Sequence, residues 1–257
     1  MAGIKSNVEA LARKMLMLGI DPRKTVSLKK YPLYLRQRRE WRKQGGKISS
    51  NFMVLSDYAD NAGTAKGHYF HQDLLVARLI AAANPKRHVD VGSRIDGFVA
   101  HVAAFREIDV VDIRPLGDSV HENITFVQAD LMQPGSIGKT DSLSCLHAIE
   151  HFGMGRYTDP IDVMGHEKGV SNLVELVEQG GHLYISFPIG AENEVHFNAH
   201  RVFHPEWILN HSAVSEKMLL KRFDYVDDAG DLHLDKAPSD AVGSTKFGCG
   251  IYTFVKK

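Results

Sequence analysis

The chain has 257 residues, 44% of them hydrophobic, and its 31 Lys and Arg balance 31 Asp and Glu. That length and apolar fraction suit one large domain with an extension, or two small domains, with ample material for a buried core. Its two cysteines, Cys145 and Cys249, lie far apart in apolar, strand-like runs, which excludes a disulfide framework and a C-x-x-C metal site and points to a reducing cytoplasm.

From the start of the chain, Met1 to Ile20 is partly apolar but is broken by Lys5, Glu9, Arg13 and Lys14, so neither a secretory core nor a membrane span is expected there. Residues 1 to 50 hold thirteen Lys or Arg against Glu9, Asp21 and Glu40, an excess of ten that the remainder cancels. The charge concentrates between Arg23 and Lys47, with Tyr31, Tyr34, Leu35 and Trp41 among it. Such a segment suits an acidic partner: a phosphorylated glycan carrier, an anionic membrane surface or nucleic acid. It equally fits a solvated arm that packs its aromatics on the main domain. No RNA-binding signature accompanies the charge, so nucleic acid is the least expected partner. The division that follows is a basic extension over 1–60 and one domain over 61–257.

Asn51 to Gly67 is a polar loop, and Tyr69, Leu74, Leu75, Ala77, Leu79 and Ile80 then give a helical apolar stripe that Asn84-Pro85 stops. The order places the Asp57 to His71 loop within reach of whatever the next turn binds. That turn, His88-Val-Asp-Val-Gly-Ser-Arg-Ile-Asp-Gly97, reads as a strand ending in a glycine turn that opens a helix from Phe98. A G-x-G-x-x-G dinucleotide loop needs a glycine at position 94, where the chain has Arg94, and a phosphate loop needs Lys-Ser or Lys-Thr after Gly97, where it has Phe98-Val99. An S-adenosylmethionine (SAM) loop needs only an acid two residues before the first glycine, which Asp90-Val-Gly92 supplies. An ordinary strand-to-helix turn would also fit so short a motif.

Downstream, Glu107 to Ile113 is a second buried strand with Asp112 twenty residues beyond Gly92, the spacing at which a carboxylate meets ribose hydroxyls. Ile124 to Asp130 is a third strand and Asp141 to His147 a fourth. Ser171 to Glu178 is a helix that Gly180-Gly181 ends, and His182 to Pro188 is a fifth strand. Met218 to Val226 and Gly248 to Val255 are two more, separated by a polar excursion over Asp227 to Lys246. Alternating strands and helices imply an α/β Rossmann-like, mostly parallel, seven-stranded sheet with helices on both faces.

Asp90-Val-Gly92, Asp112, Ala129-Asp130, Cys145 to His151 and Gly180-Gly181 fall in the order seen in class I SAM-dependent methyltransferases, which residues 66 to 257 resemble. More closely, Gly67-His-Tyr-Phe-His-Gln-Asp73, Asp90 to Phe98, Ser142 to Gly153 and Phe197-Asn-Ala-His-Arg-Val-Phe203 resemble an uncharacterised family from bacterial surface-polysaccharide gene clusters. Arg94 and Asp96 stand where the general D-x-G-x-G-x-G pattern has glycines. The resemblance implies SAM held by Asp90, Gly92, Ser93, Gly97, Asp112, Ile113, Asp130, Leu131 and His147. It also implies a sugar or glycan-precursor acceptor, and a place in the cytoplasm or at the inner face of the membrane, where the basic arm would meet an anionic surface or a glycan-assembly complex.

His147-Ala-Ile-Glu150-His151 also matches H-x-x-E-H, a helical zinc motif of peptidases, but here His147 ends a strand that the sheet needs. The same residues resemble the Glu-His stretch after strand four of quinone-biosynthesis O-methyltransferases, which implies a histidine and carboxylate cluster beside the methyl group and a divalent metal as an optional cofactor. His196, His200 and His204 are spaced to stack three imidazoles on a helix, although Pro205, Phe197 and Phe203 favour a lid loop. The catalytic candidates are His147, Glu150, His151 and His200, with His151 the first choice as general base. Two other readings stay open: a SAM-fold scaffold that no longer binds cofactor, and a metal-dependent enzyme of non-methyl chemistry built on His147, Glu150 and His151.

Overall fold

The computed structural model describes residues 26–59, 61–117, 121–135 and 137–257. The expectations for Met1 to Ile20 and for Arg23 lie outside them. The chain divides between Thr64 and Ala65 into two compact units. In the first, helix α1 (Tyr31–Lys43) carries Pro32 in its opening turn, where a missing N–H costs nothing, and Arg42 and Lys43 in its last turn, where cations oppose the helix dipole. It buries none of its residues. Its side chains instead reach the segment that follows: Arg38 Nε donates to Asn51 Oδ1 at 2.7 Å, and the Trp41 indole donates to the Lys47 carbonyl at 3.1 Å. No helix among the described residues is long and apolar enough to cross a membrane.

The second unit is built on an eight-stranded sheet. Its strands are β1 (His88–Val91), β2 (Ile108–Asp112), β3 (Ile124–Gln128), β4 (Thr140–Leu146), β5 (Val177–Ile189), β8 (Met218–Val226), β9 (Leu232–His233) and β10 (Gly248–Lys256). β6 (Glu194–His196) and β7 (His200–Val202) form a separate hairpin. The order across the large sheet is β3-β2-β1-β4-β5-β10-β8-β9. β1 to β5 pair in parallel, while β10 runs antiparallel between β5 and β8. The seven expected strands are all present, and an eighth, β9, adds an edge inside the stretch expected to be a polar excursion.

Side chains alternate across the sheet with the strand period of two. Val89, Val91, Leu143, Cys145, Leu183 and Ile185 point to one face, under helix α4 (Gly165–Leu176), whose Val170, Leu173 and Val174 are fully buried against them. Ile108, Val110, Tyr184 and Ile251 point to the other face, under helix α2 (His68–Ala83), which contributes Leu75, Val76 and Ile80. The structure is therefore an α/β Rossmann-like fold, with a mixed but mostly parallel sheet flanked by helices.

Two local expectations change. The helix expected from Ser171 to Glu178 is α4, which ends at Leu176, because Val177 is already paired with Thr140 of β4. Gly180, at φ +75°, and Gly181 then bulge β5 so that His182 meets Ser142. After β1 the chain winds through a π-helical turn, Ile95–Val99, before the short helix α3 (Ala100–Ala103). Gly97 is kinked there and packs on α2: a Cβ on it would lie 2.7 Å from Asp73 Oδ2.

Candidate active site

β1 connects to β2 on one side while β4 lies on the other, so the sheet has its switch point between β1 and β4, where crevices form beyond the carboxyl ends of the strands. Gly92 begins the loop there at φ +71°, and a Cβ on it would lie 2.9 Å from the Ala148 Cβ, so both its conformation and its surroundings require glycine. Beneath it, the buried Asp90 accepts from the Ser93 and Ser144 hydroxyls, each at 2.6 Å, and from the Ser93 N–H at 3.1 Å. Burial pushes the Asp90 carboxyl up to about 6, with the Ser144 and Ser93 bonds opposing it. Behind Ser144, His88 bridges the Ser142 and Ser144 hydroxyls at 2.8 and 3.1 Å. Asp90 and Ser93 thus brace the loop from below.

Above the loop lies a cavity with a mostly apolar wall that carries a few polar groups, as small-molecule sites do. Of the residues expected at the cofactor, Gly92, Asp112, Ile113, Asp130, Leu131 and His147 line it. Asp90, Ser93 and Gly97 do not: they are buried in the loop's own support. Asp112 closes β2 and is gripped by Arg114, a residue the sequence did not single out. Arg94, where a glycine was the general pattern, turns outward to pair with Asp96 at 3.1 Å and lies 5.1 Å from the Tyr69 ring centre, so its side chain leaves the cavity open.

A groove adjoins the cavity, and Gly92, Arg114, His147, His151 and Tyr157 line both. The zinc-peptidase helix is absent: β4 ends at Leu146, His147 takes the left-handed φ of +51°, and Ile149–His151 is a single 3-10 turn. That backbone brings the three side chains together. His147 Nδ1 lies 2.9 Å from Glu150 Oε1, and His151 Nε2 lies 3.7 Å from the same oxygen. Burial alone would raise Glu150, but His147 outweighs it and holds the carboxyl below its usual range. Burial likewise opposes protonation of His147, yet the Cys249 sulfur and the Glu150 carboxylate outweigh it and carry His147 well above the ordinary imidazole range. His151 goes the other way, lowered by burial with Glu150 only partly opposing.

His200 reaches the same groove from β7, paired across the hairpin with His196 at a ring separation of 5.1 Å, and burial lowers its pKa. His204 stands apart: its N–H donates to Asn193 and its Nδ1 accepts from the Glu206 N–H. The i, i+4, i+8 spacing therefore yields a hairpin pair and a turn residue, with no stack of three. Arg201 Nη1 donates to the Glu150 and Phe152 carbonyls at 3.2 and 2.8 Å and ties the hairpin to the turn that carries Glu150. From α2, His68 stacks on His147 at 5.4 Å with an interplanar angle of 9°, its pKa lowered to about 4 by burial and by His147. Tyr157, His68, Tyr69 and Phe247 complete the groove. His68 and Tyr69 lay inside the Gly67 to Asp73 segment marked in the sequence, Tyr157 and Phe247 lay outside the marked segments, and no spacing pattern links any of them to His147.

A family described as "Caenorhabditis protein of unknown function, DUF268" matches residues 132–234. No curated protein matches the sequence. Among solved structures, the chain is similar to the (4+2)-cyclase SpnF, with 12% identity over 76% of this chain and 85% of that one and a TM-score of 0.52. It is similar to the O-methyltransferase of a trans-AT PKS multienzyme of Brevibacillus brevis in complex with S-adenosyl-L-homocysteine, with 8% identity over 72% of each chain and a TM-score of 0.50. It is also similar to the methyltransferase domain of the bacterial CtHen1-C, with 14% identity over 72% of this chain and 96% of that one and a TM-score of 0.50. The fold is thus that of class I methyltransferases. One of these structures is a cyclase, so the chemistry has to be read from the site.

Proposed function

We propose that the chain is a SAM-dependent methyltransferase that methylates a hydroxyl group, on a sugar of a surface glycan or its precursor. The observation that carries the reading is the shared wall: His147 and His151 line both the cavity at the switch point and the groove beside it. A cofactor in the cavity and an acceptor in the groove would meet at those two imidazoles. The cavity suits SAM on two counts: the carboxylates of Asp112 and Asp130 on its wall, and the approach allowed by Gly92, which a side chain would fill. The sugar acceptor rests on the sequence resemblance, and a groove lined by Arg94, Arg114, Arg156, Tyr69 and Tyr157 is consistent with a hydroxyl-rich, anionic molecule.

Bound in the cavity, SAM supplies an electrophilic methyl group. Asp112 would hold its ribose hydroxyls and Asp130 would face its base, with the Gly92 backbone leaving room for the part between. His151, kept neutral by burial, takes the acceptor proton. Glu150 orients His147 through the 2.9 Å contact and steadies the positive charge that develops on His151. His200, on the hairpin and in the groove's wall, would help to hold the acceptor near the methyl group. Calorimetry with S-adenosylhomocysteine tests the reading: binding at one site per chain is expected, and absence of binding by folded protein would leave a scaffold role instead.

A further inference from the structure

Three side chains from distant parts of the chain converge at the edge of the groove. His68 opens α2, His147 follows β4, and Cys249 lies in β10 between β5 and β8. One donor atom from each lies within 4.8 Å of the other two. The His147 side chain is 5% exposed. Its Nδ1 is occupied by Glu150, while its buried Nε2 faces the Cys249 sulfur without meeting hydrogen-bond geometry, and the thiol is directed at Gln72 Oε1, 3.6 Å away. Buried polar atoms without partners are rare and costly, so an orphaned imidazole nitrogen aimed at a sulfur points to something between them.

The surroundings set the chemistry of that missing partner. With Nδ1–H held by a carboxylate, a cation that displaces the Nε2 proton meets a ring already oriented as proteins commonly orient a metal-ligating histidine. Two imidazole nitrogens and a sulfur are borderline-to-soft donors; they suit zinc and similar transition ions and fit magnesium or calcium poorly, since those demand oxygen. Bonds of ~2.0–2.3 Å to a tetrahedral ion would draw the three atoms inward by about an ångström. His68 and His147 both line the groove, so a fourth position opens toward it.

We propose that His68, His147 and Cys249 bind a zinc-class divalent ion, with an open coordination position facing the acceptor groove. Cys249 gives up its thiol proton on binding. A three-ligand site with one open position is the pattern of catalytic zinc, and here the ion acidifies the acceptor hydroxyl. That last role rests on the methyl-transfer reading, whereas the site itself does not. The site differs from the His147, Glu150 and His151 set because Glu150 acts through His147 and His151 stays outside it as the proton acceptor.

The experiment is titration of the full chain with zinc, with metal content measured after desalting, and cobalt substitution to reveal sulfur ligation as a thiolate charge-transfer band. One ion per chain is expected. His68→Gln, at the end of α2, and Cys249→Ser should each lower affinity by at least tenfold and Cys249→Ser should abolish the band, while Glu150→Gln should lower affinity ~10–100-fold. His151→Gln should leave binding unchanged. Circular dichroism and S-adenosylhomocysteine binding on the same samples separate misfolding from ligand loss. His68→Gln alone decides the case if Cys249→Ser does not fold. Absence of stoichiometric zinc, or zinc lost with His151→Gln and kept by folded His68→Gln, overturns the proposal. Zinc bound without S-adenosylhomocysteine binding upholds the site and removes the methyl-transfer reading alone.

Discussion

Arg114 grips the Asp112 carboxylate at both oxygens, Nε to Oδ1 at 2.9 Å and Nη2 to Oδ2 at 2.5 Å, with its guanidinium carbon 4.3 Å from the Tyr157 ring centre. The residue proposed to hold a ribose is therefore already engaged. Two substitutions are expected to act in opposite directions. Asp112→Ala should weaken S-adenosylhomocysteine binding by about 2 kcal/mol, through loss of a charged acceptor. Arg114→Ala should leave affinity unchanged or raise it by up to about fivefold, since a half-exposed ion pair worth at most ~1 kcal/mol no longer competes. Calorimetry measures both, and weaker binding in Arg114→Ala would mean that the arginine touches the ligand itself.

The base assignment has a kinetic signature. With both substrates saturating, His151→Ala should lower kcat by about a hundredfold while cofactor affinity stays within a factor of two or so. Because burial lowers the His151 pKa, its neutral form persists into mildly acidic solution, so kcat should hold steady below pH 6.5 and fall only as the pH drops through that lowered value. A His151→Ala enzyme with near-wild-type kcat would shift the role to His200.

His88 gives a stability test independent of function. Burial lowers its pKa to about 3, so the folded chain keeps it neutral while the unfolded chain takes up a proton near pH 6.5. The stability due to neutral His88 is thus complete above pH 6.5 and declines as the pH falls toward 3. Relative to His88→Gln, the wild type should lose about 1.4 kcal/mol per pH unit below 6.5. The comparison with the variant largely cancels the titration of Asp90, which shares the network and has the opposite sign. Urea melts at pH 7.0, 6.0 and 5.0 measure the slope, and parallel curves would mean that His88 is not buried neutral.

Much of the sheet was legible because strands such as β1 are short, β-branched and buried along their whole length, and because β1, β2 and β3 each end near an acid or a glycine. The cavity followed from the same rule, and Asp112 and Asp130, both expected at the cofactor, lie on its wall. Asp90 lies off that wall for a physical reason: its spacing to Gly92 is common to a residue that touches a ligand and one that braces the loop, and burial places it beneath. His68 and Cys249 were invisible as partners of His147. Their proximity depends on α2 returning over the sheet and on β10 inserting antiparallel beside β5, and neither leaves a local pattern. Arg114 was missed because an arginine two residues after a strand usually points to water.

The exposed residues Arg36, Arg39, Arg42 and Lys43 of α1 should confer salt-dependent attraction to anionic vesicles. At about 1 kcal/mol for each basic residue near such a surface, changing all four to Glu should reduce vesicle affinity by at least tenfold at low salt and leave S-adenosylhomocysteine affinity unaltered. Cosedimentation and calorimetry read the two quantities separately. Equal vesicle binding by both proteins would assign the segment a solvated role.

Helix α1 buries no residue, and thirteen-residue helices without burial are marginal in water. Its ladder is therefore expected to open more often than the sheet, baring peptide bonds that follow Arg36, Arg38, Arg39, Arg42 and Lys43 to any trypsin-like protease. The charges that would recruit an acidic partner are the same ones that mark the segment for cleavage. Occupancy by that partner and survival of the segment become one equilibrium, so the ratio of intact to nicked chain in a cell would record how much of the partner was present.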